Sequence, residues 1–169
     1  MKFSVGHSVA VAPDAAVAAY GDPAFYEDRA PSSDTATISI VEVVHHEVAD
    51  DRVCIEVRYK FTGSVSSAAR AVVDPDKISW VTRIDLETAQ RRASFTVVPD
   101  HYPDRLECSG TYTFAEGATG TGSTVVTIAG DLKVHVFLVS RTVEQLIVSG
   151  LRTYLEEEIA TLPDFTRRA

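Results

Sequence analysis

The chain has 169 residues, 45% of them hydrophobic and 24% charged, with 24 acidic against 16 basic side chains and a formal charge of −8. That composition excludes a disordered chain, which carries fewer apolar residues. The longest apolar stretch, around Val134 to Val139, holds His135 and is far shorter than the ~18 residues of a membrane span, so no stable membrane insertion is expected. The acidic balance argues against nucleic acid or an anionic membrane as partner, since both need a basic face. Two cysteines, Cys54 and Cys108, are too few for a disulfide scaffold and fit a reducing, cytoplasmic setting.

Phe3, Val5, His7, Val9 and Val11 share one face of an opening segment and Lys2, Ser4, Gly6 and Ser8 the other. Period two predicts a half-buried strand. Ser4, Gly6, His7 and Ser8, then Pro13-Asp14, interrupt the small apolar residues that run to Ala19. A secretory signal needs ~7–15 uninterrupted apolar residues, so no targeting signal is expected. Pro13 opens a short helix to Tyr20, because proline is tolerated in a first turn. Gly21-Asp22-Pro23 stops it, a second helix follows from Pro23 to about Arg29, and Pro31-Ser32-Ser33-Asp34 makes a turn.

The next hundred residues read as strands. Thr35 to His46 is rich in Ile and Val. Val53, Ile55, Val57, Tyr59 and Phe61 alternate with Arg52, Cys54, Glu56, Arg58 and Lys60. Further strands carry Ile78, Trp80, Thr82 and Ile84; Ala93, Phe95 and Val97; and Leu106, Cys108, Gly110, Tyr112 and Phe114. Glu116 to Gly122 is a glycine-rich hairpin loop, and a last strand runs from about Ser123 to Val136. Short links such as Ala49-Asp50-Asp51 and Thr88-Ala89-Gln90 imply antiparallel neighbours. Ser64 to Val73 differs: Val65, Ala68, Ala69, Val72 and Val73 fit a short covering helix.

Then the period changes. Leu146, Ile147, Gly150, Leu151, Tyr154, Leu155, Ile159 and Leu162 form one helical stripe, with Glu144, Arg152, Glu156 and Glu157 off it. Thr142 and Gln145 make a capping box and Pro163 marks the stop, so the expected helix is Thr142 to Leu162. Glu156-Glu157-Glu158 is expected as a solvated face.

One domain over residues 1–169 is expected at this length. Its class is α+β, a curved antiparallel sheet wrapped around a long C-terminal helix. A sheet with one apolar face must be covered, and the final helix is the only element large enough. A twisted sheet and a single rod touch along a line and leave space between them, where an apolar ligand can sit.

This order of elements resembles the START-like, or helix-grip (SRPBCC), superfamily, and the chain is most similar to a bacterial family of uncharacterised proteins within it. The resemblance is carried by Met1-Lys2-Phe3-Ser4-Val5, by the run from Val98-Pro99-Asp100-His101-Tyr102-Pro103 to Tyr112, by Gly130-Asp131-Leu132-Lys133-Val134 and by Val148-Ser149-Gly150-Leu151. It spans nearly the whole chain. It implies the helix-grip fold and a ligand cavity, and it transfers no catalytic residue.

The candidate cavity residues are His7, Tyr59, Phe61, Trp80, Phe95, Tyr112, Phe114, Gly150 and Tyr154. The aromatics fall on inward faces, where they line a pocket or simply fill the core. His7 is a ligand anchor or a hydrogen-bonded rim histidine. Gly150, costly on a buried helical stripe, leaves room for a ligand or for a close aromatic such as Trp80. His45 and His46 point to opposite faces and cannot chelate together. His45 with Glu47 gives two ligands, short of the three or four of a zinc site, so no metal is expected. Asp100, His101 and Tyr102 read as a turn; of Arg58, Arg83 and Arg105, which could reach a ligand carboxylate, two alternate with apolar neighbours and are expected in water, and only Arg83, next to Ile84, is left open. No Ser-x-Gly elbow, phosphate loop or Cys-x-x-Cys pair is present, so neither a catalytic constellation nor a cofactor is expected. The expected function is binding of a small hydrophobic molecule (a lipid, isoprenoid or polyketide-like compound). The alternatives are a cyclase- or aromatase-like enzyme using the same cavity, and an interaction module without a ligand.

Overall fold

Alternating sequence produces seven strands: β1 (Lys2–Val9), β2 (Ile38–Ala49), β3 (Arg52–Phe61), β4 (Ser79–Glu87), β5 (Arg92–Pro99), β6 (Leu106–Gly117) and β7 (Gly120–Val134). Helices α1 (Pro13–Tyr20) and α2 (Pro23–Glu27) follow β1, and α3 (Ser140–Arg168) ends the chain. The computed structural model describes residues 1–27, 38–63, 70, 74–118, 120–135 and 140–168. The expected turn at Pro31 to Asp34 lies outside the described residues, as does the covering helix over Ser64 to Val73 apart from Arg70.

All neighbours in the sheet are antiparallel, in the order β1-β7-β6-β5-β4-β3-β2. The chain crosses from β1 to the far edge through α1 and α2, then returns strand by strand until β7 closes against β1. On β3 the alternation works as expected: Val53, Ile55, Val57 and Tyr59 are buried and Lys60 is exposed. Helix α3 comes closest to β1 and β7 at one end of the sheet and also reaches β2 at the other. One rod can touch both ends only if the sheet has curled around it, which is the helix-grip architecture.

Two glycines mark the bend. Gly110 and Gly130 face each other across β6 and β7, and in the same row Phe95 pairs with Gly110 and Phe3 with Gly130. A Cβ on Gly110 would lie 2.1 Å from the Ala129 carbonyl oxygen, and one on Gly130 would lie 2.7 Å from the Phe3 ring. The two strands therefore close inward too tightly for any side chain, and the flanking rings cover the glycine floor.

The long helix departs from expectation at both ends. It begins at Ser140, so Thr142 falls within the first turn and is not the cap. It continues through Pro163 to Arg168. Proline removes one intrahelical hydrogen bond and costs ~3 kcal/mol in a helix interior. Packing of the last turns offsets that cost. Ile159, Leu162 and Phe165 are buried, and the Phe165 ring meets Phe25 of α2 edge-on at 5.3 Å. Phe25 also contacts Tyr20 at 5.1 Å and Tyr26 at 5.3 Å, and Tyr20 meets Phe114 at 5.2 Å and Tyr112 at 5.4 Å. These rings fill the end of the molecule under α1 and α2. The loop expected over Glu116 to Gly122 is tighter than read, with β6 and β7 extending to Gly117 and Gly120, the latter at φ 83°.

Candidate ligand cavity

Toward the N-terminal half of α3 the interior is hollow. A cavity of about 130 Å³ lies between that half and the middle of the sheet. Leu146, Ile147, Gly150, Leu151, Tyr154, Leu155 and Glu158 of α3 form its roof. Phe95, Val97, Leu106, Cys108, Tyr112 and Leu132 form the floor on β5, β6 and β7, and Ile38, Tyr59, Phe61, Ile78, Trp80 and Thr82 close the side. The spacing of the roof residues, three or four apart, is the helical stripe itself. Leu146 and Ile147 are both in this wall and exposed, which places the mouth beside the first turns of α3.

The aromatics are held by one another. Tyr59 stacks on Trp80 at 5.7 Å with 14° between the planes and meets Tyr154 of α3 edge-on at 5.7 Å. Phe95 meets Tyr112 edge-on at 5.4 Å. Such contacts fix ring orientation beyond what area burial alone does.

Seven of the nine candidate residues, Tyr59, Phe61, Trp80, Phe95, Tyr112, Gly150 and Tyr154, meet in this wall. Phe114 is buried but belongs to the filled end, against Tyr20. His7 is exposed and takes no part in the wall. Its phase on β1 matches the buried Phe3, Val5 and Val9, yet its own side chain stays in water.

The aliphatic wall residues were not among the candidates, and one wall residue was expected on the wrong face. Glu158, expected on a solvated face, is 2% exposed and lies in the roof. The signal was in the spacing: Glu158 is four residues after Tyr154 and four before Leu162, directly on the buried stripe. Charge concealed it.

The remaining polar candidates stay outside. Arg58 pairs with Glu42 at 2.9 Å and Asp100 at 3.4 Å on the outer face. Arg83 grips Asp85 at 3.0 Å, and that hydrogen bond holds the Asp85 carboxyl below the usual carboxylate range. Arg105 lies 5.1 Å over the exposed side of the Tyr102 ring. His45 pairs with Glu47 at 3.6 Å, both exposed, and His46 meets the Gly21 carbonyl at 3.0 Å. Among the described residues no three His, Cys, Asp or Glu side chains are placed to hold a metal ion, and no helix is long and apolar enough to cross a membrane. Both cysteines are free. Burial pushes the Cys108 thiol, in the cavity floor, up to about 12, with the charge of Asp131 adding to the effect.

A family model described as a protein of unknown function, DUF2505, matches residues 4–165. The chain belongs to the DUF2505 family. No curated protein matches this DUF2505 member. Solved structures do. A protein of Thermus thermophilus shares 12% identity over 99% of this chain and 98% of its own, with a TM-score of 0.66. The Zhui aromatase/cyclase of a Streptomyces species shares 15% over 99% and 96%, with a TM-score of 0.59. A START superfamily protein of Mycobacterium smegmatis shares 13% over 95% and 92%, with a TM-score of 0.55. At these identities the likeness is one of fold, and it places this DUF2505 chain in the START-like, helix-grip fold.

Proposed function

We propose that this protein binds one small, ring-containing apolar molecule in the cavity beneath α3. The observation that carries the reading is the division of the interior: one end is filled by Tyr20, Phe25, Phe114 and Phe165, while the other is left hollow and walled by Trp80, Tyr59, Tyr154, Phe95 and Tyr112. Hollows of this kind are costly in a core, and an occupant would recover the lost contacts at ~25 cal/mol per Å² of apolar surface. The cavity volume, about 130 Å³, is near that of dry cavities (~150 Å³) that take benzene, and below the ~300–1,000 Å³ of drug-sized pockets. It therefore suits a compound of one or two rings better than a two-chain lipid. A longer isoprenoid or polyketide-like molecule would leave part of itself at the mouth between Leu146 and Ile147.

A second reading is an enzyme of the cyclase kind. It draws on Glu158 and the tyrosines sharing one wall and on the aromatase/cyclase named among the structural neighbours. Native mass spectrometry of protein purified from its own host, followed by solvent extraction, tests both. A defined co-purifying compound supports binding. Conversion of that compound during incubation moves the reading to the enzyme. Repeated recovery of empty protein, with no thermal shift across a panel of aromatic and isoprenoid compounds, overturns both.

A further inference from the structure

Strand β2 ends the sheet: it pairs with β3 on one side, and among the described residues no strand pairs with its other edge. An open edge is a template for another strand, and proteins blunt it with proline, lysine or bulges. β2 holds neither proline nor lysine, and its two breaks in register fall between Ile40 and Glu42 and between Val43 and His45. From His45 to Ala49 the ladder to β3 is unbroken, and every residue there is exposed. Among the described residues six large hydrophobic side chains stand in water, and three of them lie on this strand: Val41, Val44 and Val48.

The order of residues says what fits this edge. Read outward from His46 in both directions, Val44-His45-His46-Glu47-Val48 is complementary to itself. Laid antiparallel on a second copy with the two His46 residues opposite, Val44 meets Val48 of the second copy and His45 meets its Glu47. Two-fold symmetry makes each of these pairs twice, and residues directly opposite in an antiparallel pair share a face and interact. His45 and Glu47 already attract within one strand, 3.6 Å apart and both exposed. His46 is held on the Gly21 carbonyl of its own chain at 3.0 Å, so the central position joins through backbone alone. Glu42, beyond the paired stretch, is held by Arg58 at 2.9 Å.

We infer that β2 is a self-pairing edge: two copies of this chain join antiparallel through Val44 to Val48, about a two-fold axis at His46, and their sheets run on as one. The inference is independent of what the cavity binds. A single strand edge makes a small interface, so the dimer belongs to the weak, reversible class, with a dissociation constant on the order of 10–100 µM.

Sedimentation equilibrium of the full chain from about 5 to about 500 µM, a range that brackets that constant, should show a monomer giving way to a dimer. His45→Glu sets a glutamate opposite Glu47 of the second copy at both pairs and should weaken the dimer about tenfold, since like charges directly opposite are unfavourable. Adding Glu47→Lys to His45→Glu restores opposite charges across the junction and should bring the dimer back to within about twofold of the original. Both positions are exposed, so the monomer fold does not depend on them. Val48→Glu, which sets a carboxylate against Val44 of the second copy, should weaken the dimer as well and replaces His45→Glu if that variant does not fold. A monomer at every concentration overturns the inference and leaves the edge to a strand of another protein. A dimer that His45→Glu leaves unchanged, or that the second substitution does not restore, overturns it too.

Discussion

Replacing Gly110 by alanine tests how closely β6 and β7 approach each other at the glycine pair. The added Cβ would lie 2.1 Å from the Ala129 carbonyl oxygen, 2.6 Å from Cε1 of Phe95 and 2.7 Å from the Gly130 Cα. Two of those three atoms are backbone, so no rotamer change relieves the contact. Ordinary van der Waals contact begins near 3.4 Å, and β7 would have to retreat from β6 by roughly 1.3 Å, the difference between the two distances. That retreat breaks the register that joins Gly110 to Gly130 and lifts Phe95 from the glycine floor. Overpacking in a core costs ~1–3 kcal/mol, occasionally more, and backbone contact puts Gly110→Ala at the upper end, about 3 kcal/mol. A chain of this size loses ~2–4 °C of melting temperature per kcal/mol, so thermal unfolding should fall by ~6–12 °C. Gly122→Ala is the control, because a Cβ there meets nothing within 4 Å. Calorimetric midpoints that are equal for the two variants would show that β6 and β7 do not close on each other as described.

Phe165→Ala should cost about 3 kcal/mol in urea unfolding, since a buried aromatic is lost from the Phe25 contact that holds α3 past Pro163; a loss below about 1 kcal/mol would mean that the last turns are not docked. In native protein at pH 8 a thiol reagent should consume Cys54, which is half-buried, before Cys108, which is buried and whose thiolate is disfavoured by desolvation; equal rates would contradict the buried floor. The same raised value has a consequence for stability. Below the ordinary thiol value of 9.0 both folded and unfolded chains keep the proton, while between there and about 12 only the unfolded chain loses it, so stability should fall across that window. Cys108→Ala should remove this component of the alkaline decline, and an unchanged pH profile would contradict it.

Strand positions were legible because period two survives wherever one face meets water, as on β3, and the roof of the cavity was legible because the stripe from Leu146 to Leu162 has one helical period. What failed to show were properties decided by three-dimensional neighbours. Pro163 is a local stop signal that the docking of Phe165 overrides. His7 follows the phase of the buried Phe3, Val5 and Val9 and still stays in water. Glu158 has the right phase too, but a carboxylate on a buried stripe is rare enough that its charge outweighed its position. Phe114 and Tyr112, two residues apart on β6, show the limit most plainly: both face inward, yet only Tyr112 reaches the hollow.

The chain contains one tryptophan, and Trp80 stands in the cavity wall, stacked on Tyr59. Its emission therefore reports directly on whether the hollow is occupied. Titration with 2-naphthol should quench that emission along a saturating curve that ends at one equivalent, and the quenching should reverse on dialysis. Quenching that rises linearly without saturating, to the same extent as for free tryptophan in solution, would mean that nothing enters the space beneath α3.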